Sequence, residues 1–308
     1  MRHRLLAALV QIGPTGILGA LSTLLLIAML GGIIAILFLQ GFPALSINFI
    51  FGRSSLEPSE GGIFNALVGT ALLTLLMTAA ALPLGVATGI YFAEYAKPQS
   101  KLTKILRVAI ESLAGIPSVV YGLFGLGFFV LFVGKSLDAL LSEPPLVVWA
   151  KPGILWSSLT LAVLTLPVVI VSTEEAIRRV SQELRQAAYA LGATRLQVLL
   201  WVVLPGARAG IGTGAVLAIG RAAGEVAPIL FTGAANHVAE LPRHPTDMHM
   251  HLAYHVYALA TQSADVESAK KLIFATSLVL VTITMLLTGI GSLLRAKNKQ
   301  PENHGKAI

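Results

Sequence analysis

The chain has 308 residues, of which 55% are hydrophobic and only 12% are charged, and its mean hydropathy is +0.79. Soluble domains carry about 25% charged residues, so a water-soluble enzyme and an intrinsically disordered chain are both excluded. The absence of cysteine removes disulfides, thiol catalysis and thiolate zinc sites, and the net charge of +7 becomes a question of which membrane face holds it.

Six apolar segments follow in chain order, each long enough to cross a hydrocarbon core of about 30 Å as a helix. The first charge-free run, Leu5–Gly52, is too long for one span, and Gly13-Pro14 interrupts it. It predicts a first helix over Ile17–Gln40, with Leu5–Ile12 as an interfacial lead-in. The second helix is placed within Ile63–Ala93, the third within Val108–Val133 and the fourth within Gly153–Thr173. The fifth is expected over Ala209–Ala234 and the sixth over Leu272–Leu294. Continuous apolar runs favour helices over a barrel, whose strands alternate over about 10 residues. The expected fold class is therefore all-α, a polytopic membrane protein with six transmembrane helices. The apolar stretch after the basic start Met1–Arg4 outruns a signal core, so the first helix is read as uncleaved.

Lysine and arginine set the orientation. One face holds Arg2 and Arg4, then Lys97, Lys101, Lys104 and Arg107, then Arg178, Arg179, Arg185, Arg195 and Arg208, and in the tail Arg295, Lys297, Lys299 and Lys306. The other face holds Arg53, Lys135, Lys151, Arg243, Lys270 and Lys271, and Arg221 lies inside the fifth helix. This bias places both termini in the cytoplasm and assigns the basic excess to topology. No nucleic-acid partner is expected.

The cytoplasmic loop Glu174–Arg208 reads as helical. From Gln186 to Pro205 it runs as a short helix, a break at Gly192 and a second apolar helix expected to stop at Leu204-Pro205. Glycine supports a turn that other residues resist, and proline lacks the N–H that continues a helix. Such a pair presses into a groove on a partner, with Ala187, Ala188 and Leu191 as its buried face, or else lies on lipid headgroups. Ala187, Ala188, Gly192, Val202, Leu204 and Pro205 carry the spacing of the EAA loop, and the segment resembles that loop of type-1 ABC importer permeases. The family motif usually begins with Glu where this chain has Gln186. A charged contact to the ATPase is thus missing unless Arg185 or Glu183 compensates.

Two further segments resemble the phosphate-specific branch of that family. Gly115–Gly122 contains Pro117, Ser118 and Tyr121, and Arg221–Thr232 contains Glu225, Pro228 and Thr232. The Glu-x-Ala-Pro run is similar to the A subunit (PstA) rather than the C subunit, with Val226 where Thr is usual. The resemblance covers Ile63 through the sixth helix. It implies a domain plan of residues 1–62 (N-terminus, first helix, external loop), 63–294 (permease domain) and 295–308 (basic tail). It implies a transport subunit in the bacterial plasma membrane, not an enzyme, that imports inorganic phosphate. It further implies a homologous PstC-like permease, two PstB-like ATPase subunits that bind ATP and Mg, and a PstS-like external phosphate-binding protein. Rival readings are a permease for another oxyanion such as molybdate or sulfate, an ion-coupled secondary transporter, and a membrane enzyme or assembly factor.

Arg221 and Glu225 stand out on their own. An Arg near a helix centre costs about 2.5–3.5 kcal/mol on insertion scales, and at i,i+4 the two side chains share a face. They form either a buried pair that fixes packing or a charged element of an anion pathway, where guanidinium offers bidentate donors to phosphate. Glu225 would then accept from a protonated phosphate oxygen or hold Arg221 until substrate displaces it. Pro83, Pro117, Pro167 and Pro228 are read as kinks, each freeing a carbonyl that a neighbour must satisfy. Gly-x-x-x-Gly pairs at Gly85/Gly89, Gly210/Gly214 and Gly220/Gly224 permit close helix contact. Glu111 is read as a snorkelling carboxylate. His249, His251 and His255 have only Asp247 and Glu240 as nearby acids, and are read as solvated loop residues rather than metal ligands. Gly134-Lys135-Ser136 ends like a phosphate-cradling loop, but Phe129 stands where the earlier Gly is required, so no ATP site is expected on this chain.

The charge bias makes a direct prediction. With no native cysteine, a Cys at Ser59 or Ser263 reacts with an impermeant thiol reagent in intact cells. A Cys at Ser181 or Asn298 reacts only after permeabilisation. The opposite labelling pattern overturns the orientation.

Overall fold

The structure, a computed structural model, describes residues 14–53, 61–141, 146–238, 240–263 and 266–297. The lead-in at Leu5–Ile12 and the tail beyond Lys297 lie outside the described residues. Among the described residues six helices are long and apolar enough to cross a membrane: Leu18–Ala44, Phe64–Tyr95, Ser118–Leu141, Ile154–Arg178, Arg195–Gly224 and Ala269–Ile290. The protein is an all-α, multi-pass membrane protein.

The fourth span is the centre of the bundle. Its most apolar window is 67% buried, against 0% for the first span, which stands outside the bundle. Lipid tails are as apolar as leucine, so helices associate in a bilayer through close packing rather than hydrophobic exclusion. Glycine provides that closeness here. A Cβ on Gly85 would come within 2.6 Å of Val169, and one on Gly89 within 2.6 Å of Thr173. From the other side, a Cβ on Gly210 would meet Ala176 at 2.4 Å, and one on Gly214 would meet Ser172 at 1.8 Å. The second and fifth spans thus clamp the fourth through their glycine faces. The third pair contributes at one end only: Gly220 faces Thr288 of the sixth span, and Gly224 faces open space.

The expected boundaries shift in three places, each for a backbone reason. The third span begins at Ser118, not Val108, because an amphipathic helix Lys101–Gly115 ends first and Pro117 starts a new one as its N-cap. Pro117 cannot donate to the Leu113 carbonyl, and the Tyr121 hydroxyl donates to it instead at 2.7 Å. The fifth helix ends at Gly224, with Glu225 extended (φ −78°, ψ 134°), so Arg221 lies in its last turn rather than near its centre. Pro228 is the cause, since it has no N–H for the Gly224 carbonyl and its ring crowds that group. A separate short helix, Ala227–Leu230, follows. Pro117 and Pro228 therefore start helices, whereas Pro83 and Pro167 do sit inside theirs.

The third shift is at Pro205, which does not stop a helix. Leu199–Val203 forms a wide π turn in which Leu204 N–H reaches back to Leu199 O. The ring of Pro205 is accommodated after that turn, and the helix continues to Gly224. The loop between the fourth and fifth spans shrinks accordingly, since Glu174–Arg178 belongs to the fourth span and the stretch from Arg195 to the fifth.

The long loop after the fifth span is packed, not solvated. Its backbone caps the fourth span: Gly153, Ile154 and Leu155 N–H donate to the carbonyls of Thr232, Asp247 and Pro245, each at 2.9 Å. Leu252 N–H donates to Thr70 Oγ1 at 2.9 Å, and Asn65 Nδ2 donates to Val238 O at 2.7 Å. A Cβ on Gly69 would lie 2.0 Å from Met250 O, so only glycine lets this loop approach the second span. His249 and His251 are consequently fully buried, and neither ring nitrogen of either has a partner. This corrects the solvated reading. No group of three His, Asp or Glu among the described residues is placed to hold a metal ion.

Burial pulls the His249 and His255 imidazoles down to about 4 and that of His251, which also feels His249, to about 3. The unfolded chain binds these protons first, near pH 6.5. Stability contributed by the neutral rings is therefore full above that value and is lost as pH falls from about 6.5 toward about 4. The solubilised protein should show a thermal midpoint that drops between about pH 7 and about pH 5, and His251→Leu should flatten that drop. A pH-independent midpoint over this range refutes the burial of neutral histidines.

Candidate functional site: the broken helices and the helical hairpin

Two interrupted helices meet in the bundle. The short helix Ser118–Phe124 packs on Ala227–Leu230, and a Cβ on Gly122 would come within 2.9 Å of Ala227 O and 3.1 Å of Pro228 Cα. This contact brings Tyr121 near Arg221, close enough for the guanidinium to act electrostatically on its hydroxyl. Arg221 Nε donates to Glu225 Oε1 at 3.2 Å, with the Arg side chain 46% exposed and Glu225 19% exposed. The pair is half-open, not the buried packing pair considered from sequence. Its two Nη groups have no partner among the described residues, so the planar fork remains available to an anion.

The other sequence candidates separate by environment. Pro117 is exposed and Ser118 half-buried at the same junction. Pro228 and Thr232 are buried, and the Thr232 hydroxyl donates to Pro228 O at 3.0 Å and can accept from the Ser157 hydroxyl of the fourth span at 3.1 Å. Those two residues and the buried Tyr121 hold the break against the bundle, while Arg221, Glu225 and Ser118 form its open side.

The hairpin is built from local signals. Ser181 caps the helix Gln182–Ala190, accepting from Glu183 N–H at 3.2 Å. That helix ends at Gly192, whose φ of +84° lies in the left-handed region. Gly192 N–H donates to Tyr189 O at 2.9 Å and Ala193 N–H to Ala188 O at 3.1 Å, the paired bonds of a Schellman stop. Thr194 and Gln197 then form a capping box for the next helix, with Thr194 N–H donating to Gln197 Oε1 at 2.7 Å. The expected turn at Gly192 is present.

The outer face of the hairpin is uncovered. Leu184, Tyr189, Leu191 and Leu196 are exposed, Leu191 by 90%, and Gln186 and Ala187 also point outward while Ala188 packs partly inward. Of the residues proposed to compensate for Gln186, Arg185 turns inward. It is the one buried residue of its helix and pairs with Glu94.

Sequence reasoning missed the charged groups behind the hairpin. Glu174 accepts from Arg107 Nη2 at 2.9 Å and from Arg178 Nε at 3.0 Å, and Arg178 also reaches Phe92 O at 3.4 Å. The i,i+4 spacing of Glu174 and Arg178 is the same signal that singled out Arg221 and Glu225. Glu94 gave no such signal, because its partner is 91 positions away.

Known proteins place this arrangement. Residues 83–299 match the family described as the binding-protein-dependent transport system inner membrane component. The chain is 37% identical over 218 residues to the probable ABC transporter permease YqgI of Bacillus subtilis, an alignment spanning 71% of this chain and 68% of that one. It is 35% identical over 198 residues to the phosphate transport system permease PstA of Haemophilus influenzae, covering 64% of each chain. It is 34% identical over 219 residues to a probable PstA of Methanocaldococcus jannaschii, covering 70% of each. In fold it is similar to a chain of the inward-facing MetNI methionine ABC transporter, with a TM-score of 0.54 at 17% identity over 78% of this chain and 95% of that one. A bacterial ABC importer of alginate gives a TM-score of 0.53 at 15% identity over 90% and 96% of the two chains. The half-open helix junction and the uncovered hairpin thus sit in a type-1 ABC importer permease fold, and the chain belongs to the inner-membrane permease family of binding-protein-dependent transport systems.

Proposed function

We propose that this chain is a permease subunit of an ATP-driven importer of inorganic phosphate. The observation that carries the reading is the hairpin: a left-handed stop at Gly192 presenting Leu184, Tyr189 and Leu191, which the chain itself leaves uncovered. A separate ATPase pair, binding ATP and Mg, docks there through Gln186, Ala187, Ala188, Gly192, Leu204 and Pro205. Phosphate as substrate is supported by the names of the PstA relatives and by the free guanidinium fork of Arg221. A homologous PstC-like permease completes the pathway, and a PstS-like binding protein delivers the anion. The permease domain spans residues 63–294, both termini are cytoplasmic, and the membrane is the bacterial plasma membrane. Closure of the ATPases rocks the hairpin, and the helix continuous with it moves the Arg221 junction.

Two experiments test this. Gly192→Pro fixes φ near −65° and removes the N–H that holds Tyr189 O, so the hairpin cannot close its turn. The variant should insert normally, fail to retain the ATPase and lose uptake; normal uptake would make the hairpin a lipid-facing element only. Arg221→Gln, Glu225→Gln and the double variant should all assemble, because an exposed pair contributes only about 0.2–1 kcal/mol. Phosphate uptake should collapse in Arg221→Gln and stay lost in the double variant. An active double variant ends the pathway assignment.

A further inference from the structure

The helix Gln182–Ala190 meets the rest of the chain through partly buried Ala188, in the apolar cluster of Ile177, Val180 and Val198, and through one charged side chain. Arg185 is its one buried residue, 11% exposed, and its guanidinium serves two different helices at once. Nη1 donates to Glu94 Oε1, and Nη2 donates to Ile177 O at 2.7 Å. Ile177 lies in the last turn of the fourth span, and its carbonyl accepts from Val180 N–H as well as from Arg185. Glu94 lies in the π turn Tyr91–Tyr95 that ends the second span and is itself only 20% exposed. The second and fourth spans are the pair clamped by Gly85 and Gly89. One cation therefore ties the hairpin to a glycine-clamped helix contact of the bundle.

The hairpin has a second connection of a different kind. Its other helix runs without interruption into the fifth span, from Arg195 to Gly224. Displacement of the hairpin thus reaches the fifth span through continuous helix, and reaches the second and fourth spans through the short link Arg179–Ser181, through the apolar cluster that Ala188, Ala193 and Val198 share with Ala93, Ile177 and Val180, and through the one directional charged contact, Arg185. A charge pair shielded from water is stiff, because separating it leaves each charge unpaired in low dielectric. The neighbouring cluster repeats the theme: Glu174 joins Arg107 of the helix Lys101–Gly115 to Arg178 of the fourth span.

We infer that Arg185 and Glu94 are positioning residues that convert hairpin movement into movement of the second and fourth spans, so that ATP hydrolysis on the partner is tied to opening of the pathway. This rests on the proposed docking of an ATPase at the hairpin. The pair lies behind the docking face and touches neither substrate nor nucleotide. Its loss should separate hydrolysis from transport rather than abolish either binding event.

The test uses the full importer, with permease partner, ATPases and binding protein, reconstituted in liposomes. Phosphate-dependent ATP hydrolysis and phosphate uptake are measured on the same vesicles. If the wild-type complex shows no phosphate-dependent hydrolysis, the functional reading fails, and that result is separate from the present inference. Given a working wild type, Arg185→Gln and Glu94→Gln should keep hydrolysing ATP while phosphate imported per ATP falls about ten-fold, the scale of a typical coupling free energy. Arg185→Lys keeps the charge but cannot reach both acceptors, and should lie between. The exchanged pair Glu94→Arg with Arg185→Glu restores the ion pair but not the donation to Ile177 O, and should recover part of the ratio. An unchanged ratio in the single variants overturns the inference. So does an exchanged pair that assembles yet stays uncoupled. Should the single variants fail to assemble, recovery of assembly and of part of the ratio by the exchange supports the inference, and failure of every variant to assemble makes Arg185 a folding residue and overturns it.

Discussion

The close approach of three helices at the fourth span governs the rest of this structure. In water, apolar side chains alone would hold such a bundle together; in lipid they exert no such preference. What remains is contact distance, and glycine sets it. Gly85 and Gly89 bring the second span against Val169 and Thr173, while Gly210 and Gly214 bring the fifth span against Ala176 and Ser172. Arg221 lies on that same face of the fifth helix, seven residues beyond Gly214, where the packed face runs out toward the junction with the third span. The ends of the fourth span are fixed as well. The 232–247 backbone caps its first residues, and Arg107 and Arg178 neutralise Glu174 near its last.

Both candidate sites depend on helices that stop inside an otherwise continuous apolar run. Membrane backbone tolerates such stops only where the freed polar groups find partners. At Pro117 the Leu113 carbonyl accepts from Ile116 N–H at 3.2 Å and from the Tyr121 hydroxyl at 2.7 Å. After Pro228 the Thr232 hydroxyl donates to the Pro228 carbonyl and meets the Ser157 hydroxyl, which holds the short helix Ala227–Leu230 to the fourth span. The two breaks pack on one another through Gly122. The site is therefore a by-product of satisfied backbone: once the breaks are stable and adjacent, Arg221 and Glu225 at the end of one helix face the open side of the other.

Signals that act over a few residues were legible in the sequence. The six spans, the turn at Gly192 and the i,i+4 pairing of Arg221 with Glu225 all follow from local spacing. Helix boundaries were less so, because hydropathy does not register a break. Lys101–Gly115 and Ser118–Phe124 share one run of residues, and Pro205 looks like a stop until the π turn before it is known. Charge partners far apart in the chain were not legible at all, as with Arg185 and Glu94. The histidines failed for a related reason. A loop of polar residues reads as solvated, yet His249 and His251 are drawn inside by backbone bonds from Gly153, Ile154 and Leu155 that no residue type announces.

The two sites are joined by a single rod. From Arg195 to Gly224 the chain is helical over 30 residues, which at about 1.5 Å per residue is on the order of 45 Å. One end is the capping box beside Gly192, and the other is the turn that carries Arg221. Proline inside a helix normally weakens such a rod. Here the π turn at Leu199–Val203 absorbs the missing bond of Pro205, so the rod stays continuous where the motif seemed to cut it. The same turn lies between the hairpin and the glycine-clamped segment, where a helix with wider turns bends most readily. The Leu-Pro of the motif therefore marks the return from the π turn to the α-helix rather than an end.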